Sequence, residues 1–103
     1  MASIQQFMYV PLAGIPGSIP DVTAGATGTR LSATTVPCKV VVVGSLHGNT
    51  QGAYIRVADH GNAKAGQGTE LAPGESCAFA VNDLMDLDVY GNGSDKVSVV
   101  YLM

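Results

Sequence analysis

From Gly28 to the end of the chain, short apolar runs alternate with turn residues about every 8 to 14 residues. This spacing is typical of an all-β sandwich or barrel, because each run suits one strand and each Gly-rich or polar stretch suits one connection. No stretch in this region keeps helical periodicity for long enough to form a substantial helix. The pattern therefore predicts an all-β domain, a small antiparallel β-sandwich or jelly-roll-like fold, over residues 28–103.

The apolar runs also predict the strands and the core. Strands are expected at 29–34, 38–43, 53–58, 76–81, 87–90 and 96–102, with Gly91–Asp95 as a hairpin connection between the last two. A type II turn is expected at Leu71–Glu75, and one helical turn capped by Asn82 or Asp83 is expected before Leu87. Two facing sheets are expected to bury Leu31, Val40, Val42, Ile55, Val57, Leu71, Phe79, Val81, Leu87, Val89, Val97, Val99 and Tyr101.

Residues 1–27 differ from the rest of the chain in amino-acid composition and are predicted to form an N-terminal arm and linker. This zone holds three of the five prolines but only one charge, Asp21. Within it, Ile4–Leu12 favours an extended strand that Pro11 ends, and we call this segment the arm strand. The Gly-, Pro-, Ala- and Thr-rich stretch 13–27 predicts an irregular linker.

The low charge of the chain points to a contact with another protein. Charged residues make up 13% of the sequence, about half the usual fraction of roughly 25%, while apolar types reach 47%. A domain of this size buries only about 60–65% of the surface that its unfolded chain exposes. Apolar groups should therefore remain outside its own core, and such surface usually marks a protein contact. Cys38–Val43 and the last strand, 96–102, both carry apolar residues on successive positions and are expected to be covered on both faces.

The same composition argues against several classes of partner. Five basic against eight acidic residues leave a net charge of −3, so we expect no nucleic-acid binding. The longest uninterrupted apolar candidate, Val40–Val43, has the length of a strand and not of a membrane span. Met1–Gln6 has no basic start and no apolar stretch, so no secretory signal is expected.

Residues that could support catalysis or metal binding are few. His47 and His60 lie in separate loops, and the sequence has no Gly-x-Ser-x-Gly element and no paired metal-ligand spacing. We therefore expect no enzyme activity, no cofactor and no metal. Cys38 and Cys77 are expected to be reduced, buried thiols, with a disulfide as the alternative. Asp83, Asp86, Asp88 and Asp95 are expected to form a solvated acidic edge that discourages wrong strand pairing.

Six sequence features follow one another along the chain: Val36–Lys39, the valine strand Val40–Val43, the loop Asn49–Gly52, the turn Leu71–Ser76, the Asp83–Leu84 pair and the closing strand Val99–Tyr101. Together they span about 70 of the 103 residues and resemble a family of small structural proteins of tailed-bacteriophage virions. The Pro73–Ser76 turn is the most specific of them. The resemblance implies a β-sandwich or jelly-roll module that decorates or cements a capsid, or belongs to a head or tail appendage.

The resemblance and the apolar excess together predict how the protein works. We expect a homo-oligomer, with a trimer favoured, on the capsid surface of a virion, made in the bacterial host cytoplasm and bound to the major capsid protein. The arm is expected to lie across a neighbouring subunit or the shell and to add a strand or fill a groove. Its predicted partner-binding residues are Ile4, Phe7, Met8, Tyr9, Val10 and Leu12.

Three other classes of function stay open at this point. A glycan- or receptor-binding module of a fibre or spike is the main alternative, with Tyr54 and Tyr90 as its candidate platforms, although the chain has no tryptophan. An assembly factor that leaves the mature particle is the second. A hydrolase that depends on His47 or His60 is the third.

Deleting residues 1–12 should weaken attachment to capsids and leave the sandwich folded, because the apolar side chains of the arm strand are expected to be buried against a neighbour. Co-sedimentation with capsids measures the attachment, and circular dichroism checks the fold. Equal binding by the truncated and full-length chains would show that the arm has no such role.

Overall fold

A computed structural model describes residues 16–103 of the chain. They form eight strands: β1 (Pro16–Thr23), β2 (Thr29–Arg30), β3 (Val40–Ser45), β4 (Ile55–Asp59), β5 (Thr69–Leu71), β6 (Ser76–Phe79), β7 (Leu87–Tyr90) and β8 (Lys96–Leu102). A single 3₁₀ turn, η1 (Leu84–Asp86), precedes β7. Among these residues no helix is long and apolar enough to cross a membrane.

The strands pack as two antiparallel sheets of four strands each, so the predicted β-sandwich is confirmed. Sheet 1 has the order β1-β8-β3-β6 and sheet 2 has the order β2-β7-β4-β5. The pairs β1–β8, β2–β7, β3–β6 and β4–β5 are nested, as if one long hairpin had been rolled up across the two sheets. This nesting is the jelly-roll arrangement.

The core lies between the sheets and follows the predicted alternation on most strands. Ile55, Val57, Val89, Val97 and Val99 are buried, as expected. On β3 the predicted alternation is wrong, because Val41 and Val43 are fully buried while Val40 and Val42 face outward. The chain bends at Lys39, so the alternation that Cys38 begins does not continue into the strand. Phe79, Val81 and Tyr101 pack against the core but are only partly buried.

The expected linker at 13–27 is wrong over Pro16–Thr23, which forms β1 and pairs with β8 along its length. A bulge between Ile19 and Val22 explains why the sequence pattern hid this strand. The extra residue lets Ile19 and Val22, three positions apart, both turn toward the core opposite Val99 and Val97. Pro20 lies inside the bulge, where a missing N–H is tolerated.

The Gly91–Asp95 connection is not a hairpin, contrary to the prediction, because β7 and β8 lie in different sheets. The connection crosses between the sheets and is held by the buried carboxylate of Asp95. This carboxylate accepts hydrogen bonds from the Thr50 backbone N–H at 3.1 Å, the Thr50 hydroxyl at 3.0 Å and the Asn92 amide at 3.1 Å. Asn49 extends the network through its amide, which donates to Ser45 Oγ and to the Lys96 carbonyl.

Two local predictions are confirmed. At Leu71–Glu75 the chain turns with Gly74 at φ +87°, and the Glu75 N–H donates to the Ala72 carbonyl at 2.9 Å. Asp83 caps η1, since its carboxylate accepts from the Met85 N–H at 2.9 Å. The same carboxylate accepts from the Val36 N–H at 3.0 Å and so joins two segments at one end of the sandwich.

Replacing Asp95 by Ala should lower the free energy of unfolding by about 1–3 kcal/mol, because the donors of Thr50 and Asn92 lose their charged, buried acceptor. Chemical denaturation measures this change. Ser94→Ala, a neighbouring exposed position, is the control and should change stability by less than about 0.5 kcal/mol. Equal effects of the two substitutions would contradict the role assigned to Asp95.

Candidate assembly surface

The outer surface of sheet 1 is built from rows of side chains that point away from the core. Register pairs Val40 with Leu102, Val42 with Val100 and Gly44 with Ser98 across β3 and β8. The strands on either side extend these rows. We call this surface the uncharged face, and it consists of Pro16, Ser18, Val40, Val42, Gly44, Ser76, Ala78, Ser98, Val100 and Leu102.

The uncharged face is apolar and open to solvent. Val100 is 47% exposed, although it lies on a central strand and carries a β-branched aliphatic side chain. Val40, Val42 and Leu102 are partly exposed. Exposed charges border these rows: Lys39 precedes Val40, Glu75 precedes Ser76, Lys96 begins β8, and Asp21 lies in the bulge of β1.

The outer surface of sheet 2 has the opposite character. Arg56 on β4 forms an ion pair with Glu70 on β5 at 2.8 Å. Arg30 on β2 lies opposite Asp88 on β7, and Asp88 faces His60. The two sheets share one core, and sheet 1 has the exposed charges Asp21 and Lys96 in its strands, but the ten residues of the uncharged face carry none. Sheet 2 carries an ion pair between its strands β4 and β5. This asymmetry separates a solvated side of the sandwich from a side suited to a partner.

Apolar side chains on a sheet surface are stabilised when they are removed from water, by about 25 cal/mol per Å² of apolar area. The small residues around the valines, Gly44, Ser76, Ala78 and Ser98, keep the surface shallow. A shallow surface without charge can be covered closely by another sheet or strand without burying an unpaired ion. The geometry therefore suits protein–protein packing and not chemistry on a small substrate.

The arm strand residues predicted to bind a partner, Ile4, Phe7, Met8, Tyr9, Val10 and Leu12, lie outside the described residues. The described chain begins at Pro16, which pairs with Leu102 in the same row as Val40. The described chain therefore begins beside one end of the uncharged face. Sequence reasoning expected double coverage of β3 and β8, but it did not place their outer residues on one surface.

His60 and Asp88 lie together, but in a structural contact. Asp88 is buried, and its carboxylate accepts from the Gly61 N–H at 2.7 Å and lies 3.0 Å from His60 Nδ1. The Arg30 side chain also donates to His60 Nδ1, at 3.1 Å. These contacts hold the loop after β4 against β7. His47 lies elsewhere, with its ring close to Gly74 in the turn before β6.

The expected solvated acidic edge is wrong for three of its four aspartates. Asp83 caps η1, while Asp88 and Asp95 are buried acceptors, and only Asp86 is exposed. Within residues 16–103, no group of three His, Cys, Asp or Glu side chains is placed to hold a metal ion. The aspartates organise loops instead of forming a shared surface.

Both cysteines are free in the structure, and their surroundings differ. Cys38 is buried, and its thiol lies 3.5 Å from the Val81 carbonyl. Burial raises the pKa of the Cys38 thiol, and the carboxylates of Asp83 and Asp86 raise it further. Cys77 lies on β6 at the edge of sheet 1 and is only partly buried.

The two tyrosines expected as glycan platforms differ in their exposure to solvent. Tyr54 is 52% exposed in the segment before β4. Tyr90 is only partly buried on β7, opposite Arg56.

Comparison with known proteins gives a distant likeness to a solved structure. No protein family and no curated protein matches the chain. A solved chain from work described as "Bacillus endospore appendages form a novel family of disulfide-linked pili" is 18% identical with a TM-score of 0.44, and the match covers 86% of this chain and 88% of that chain. No functional conclusion follows at this level of similarity, and no phage family is shown.

Iodoacetamide should alkylate Cys77 faster than Cys38 in dilute, folded protein at pH 8, because a buried thiol with a raised pKa supplies little thiolate. Peptide mass spectrometry over time gives the two rates separately. Denaturant should remove most of the difference between the two sites. Equal rates in the folded protein would contradict the environment described for Cys38.

Proposed function

We propose that this protein is a structural subunit that works inside a larger protein assembly, with the uncharged face packed against another protein surface. The observation that carries this proposal is the contrast between the two sheets of one sandwich. Sheet 2 presents the Arg56–Glu70 ion pair to solvent, whereas sheet 1 exposes Val100 among uncharged neighbours. An exposed apolar patch bordered by polar residues usually marks a contact with another protein.

The more specific proposal is decoration or cementing of a bacteriophage capsid. The support for it is the sequence resemblance through Leu71–Ser76 and the other five features. Jelly rolls are used in viral capsid proteins and also in lectins, so the architecture is compatible with this role but does not select it. In this proposal the partners are the major capsid protein and further copies of the chain, with a trimer favoured.

The arm has a defined part in this assembly. It leaves the sandwich at Pro16, beside Leu102 and Val40, and carries the apolar residues Ile4–Leu12. In the proposed assembly these side chains are buried on a neighbouring subunit or on the shell. Burial there removes the apolar excess that the small domain cannot hide by itself.

Carbohydrate binding is the second candidate function. The observation that favours it is the 52% exposure of Tyr54, directly before β4. Aromatic side chains with one exposed ring face can stack on sugar rings. A glycan array separates the candidates: binding that Tyr54→Ala abolishes supports a receptor-binding module, and absence of glycan binding leaves the structural role.

Replacing Val42 and Val100 together by Lys should disrupt assembly, because two charges would be buried in the interface without partners. We expect the association to weaken by at least about tenfold. Sedimentation velocity measures the change, and thermal unfolding confirms that the outward substitutions leave the fold intact. Tyr54→Lys, at a position of similar exposure, is the matched control and should assemble normally. Unchanged association of the double variant would contradict the role of the uncharged face.

The capsid proposal has its own test. Phage particles that carry the gene for this chain should be purified from lysed host cells on a density gradient. They should contain the chain in a fixed ratio to the major capsid protein. Quantitative mass spectrometry of the particle fraction gives this ratio. Its absence from mature particles would contradict decoration and favour a transient assembly factor.

A further inference from the structure

We propose that the open edge of β6 receives the arm strand, Ile4–Leu12, of a second copy of this chain, so that each junction adds a fifth strand to sheet 1. This inference rests on the proposed function and specifies one of its contacts. It follows from the condition of the four sheet edges, the direction of the β6 backbone groups and the reach of the arm.

Among the described residues, the edge strands are β1 and β6 in sheet 1 and β2 and β5 in sheet 2. Three of them carry features that discourage strand addition. β1 contains Pro16 and Pro20 and a bulge, β2 has only two residues, and β5 has three residues that include Glu70. β6, with the sequence Ser-Cys-Ala-Phe, has no proline, no charge and a regular register with β3.

The backbone of β6 has hydrogen-bonding groups free to pair on its outer side. The Ser45 N–H donates to the Glu75 carbonyl at 2.8 Å, and antiparallel bonding then alternates along the strand. Cys77 and Phe79 therefore direct their N–H and C=O groups to β3, whereas Ser76 and Ala78 direct theirs away from the sheet. The only hydrogen bond described for the Ala78 carbonyl is a weak one from the neighbouring Cys77 thiol, at 3.7 Å.

The side chains of β6 also fit an added strand. Cys77 and Phe79 point toward the core but are only partly buried, because the sheet ends there. Ser76 and Ala78 point to the uncharged face and are small. A strand with alternate large apolar side chains would complete the core beside Phe79 and widen the uncharged face. The arm strand carries such side chains at Phe7, Met8, Tyr9 and Val10, followed by Pro11.

The reach of the arm favours a neighbour as the donor. The arm leaves from β1, at the opposite edge of sheet 1 from β6. A strand added outside β6 would lie four spacings of about 4.8 Å from β1, a straight line of about 19 Å through the sheet itself. The four residues from Leu12, where the arm strand ends, to Pro16 reach about 14 Å at full extension, which is shorter than this distance. A second copy has no such constraint.

An exchange of this kind joins unlike surfaces, a donor arm and an acceptor edge. Repeated junctions of this type close into a ring or continue as a filament, depending on the rotation between neighbours. The favoured trimer is one closed form.

Two full-length variants test the exchange separately. Ala78→Pro removes an outward N–H from β6 without removing a bond to β3, so it should block the acceptor and leave a donor arm. Phe7→Asp with Tyr9→Asp should block the donor and leave a normal acceptor edge, because neither substitution changes a residue of the eight described strands. By native mass spectrometry, each variant alone should be monomeric.

Mixing the two variants is the decisive measurement. One intact arm and one intact edge remain, so the mixture should form a 1:1 heterodimer and no larger species. Ala78→Thr, which keeps the N–H and favours a strand, is the matched control and should assemble like the unmodified chain. If Ala78→Pro fails to fold, the Phe7→Asp/Tyr9→Asp chain still tests the donor and should be monomeric beside an assembled parent.

The outcomes separate this inference from the proposed function. Assembly of the unmodified chain that persists in both variants would overturn strand exchange and leave packing through the uncharged face. A mixture without heterodimer, from variants that are folded and monomeric, would also overturn it. A monomeric unmodified chain that does not bind particles would overturn the proposed function as well.

Discussion

The removal of apolar surface from water on the outside of sheet 1 is the interaction on which this account depends. The core of this sandwich takes every second side chain of each strand. On β3 and β8 the side chains that point away from the core also include valines. Their outward rows, Val40–Leu102 and Val42–Val100, lie side by side because the two strands are paired. The result is one surface and not scattered exposure. Sheet 2 has no such surplus, and its outward rows carry charge.

The nested strand order places this surface next to the other features that an assembly needs. β1, with which the described chain begins, is one edge of sheet 1, and its prolines and bulge protect that edge from pairing. β6 is the opposite edge, and it lacks this protection. Sheet 1 therefore combines the first described strand, the uncharged face and an unprotected edge. The partly buried carboxylate of Asp83 and the buried carboxylate of Asp95 hold the connections between the sheets through hydrogen bonds.

Much of the fold could be predicted from the sequence, because alternating apolar and polar residues indicate strands and particular residue types indicate turns. The Leu71–Glu75 turn and the Asp83 cap depend on neighbours in the chain and were predicted correctly. The β1 strand was not, because its bulge breaks the two-residue period that identifies a strand. The outward rows of β3 were misassigned for a similar reason: the bend at Lys39 reverses the alternation that Cys38 suggests.

The candidate site was predictable only in part. A valine run and a doubly apolar last strand indicated coverage on both faces, which is a local signal. That β3 and β8 are neighbours is a property of the strand order, and spacing along the chain does not contain it. The same holds for the Gly91–Asp95 connection, which joins two sheets although its composition suits a hairpin. The buried roles of Asp88 and Asp95 also depend on partners distant in sequence, Gly61 and Thr50.

The mass of the unmodified chain in solution, measured by sedimentation equilibrium over a wide range of concentrations, tests the central claim most directly. The account predicts masses that rise to a multiple of 10.5 kDa as concentration increases. A folded protein that keeps a mass of 10.5 kDa at every concentration, and that does not bind particles, would contradict the claim that sheet 1 is covered by another protein.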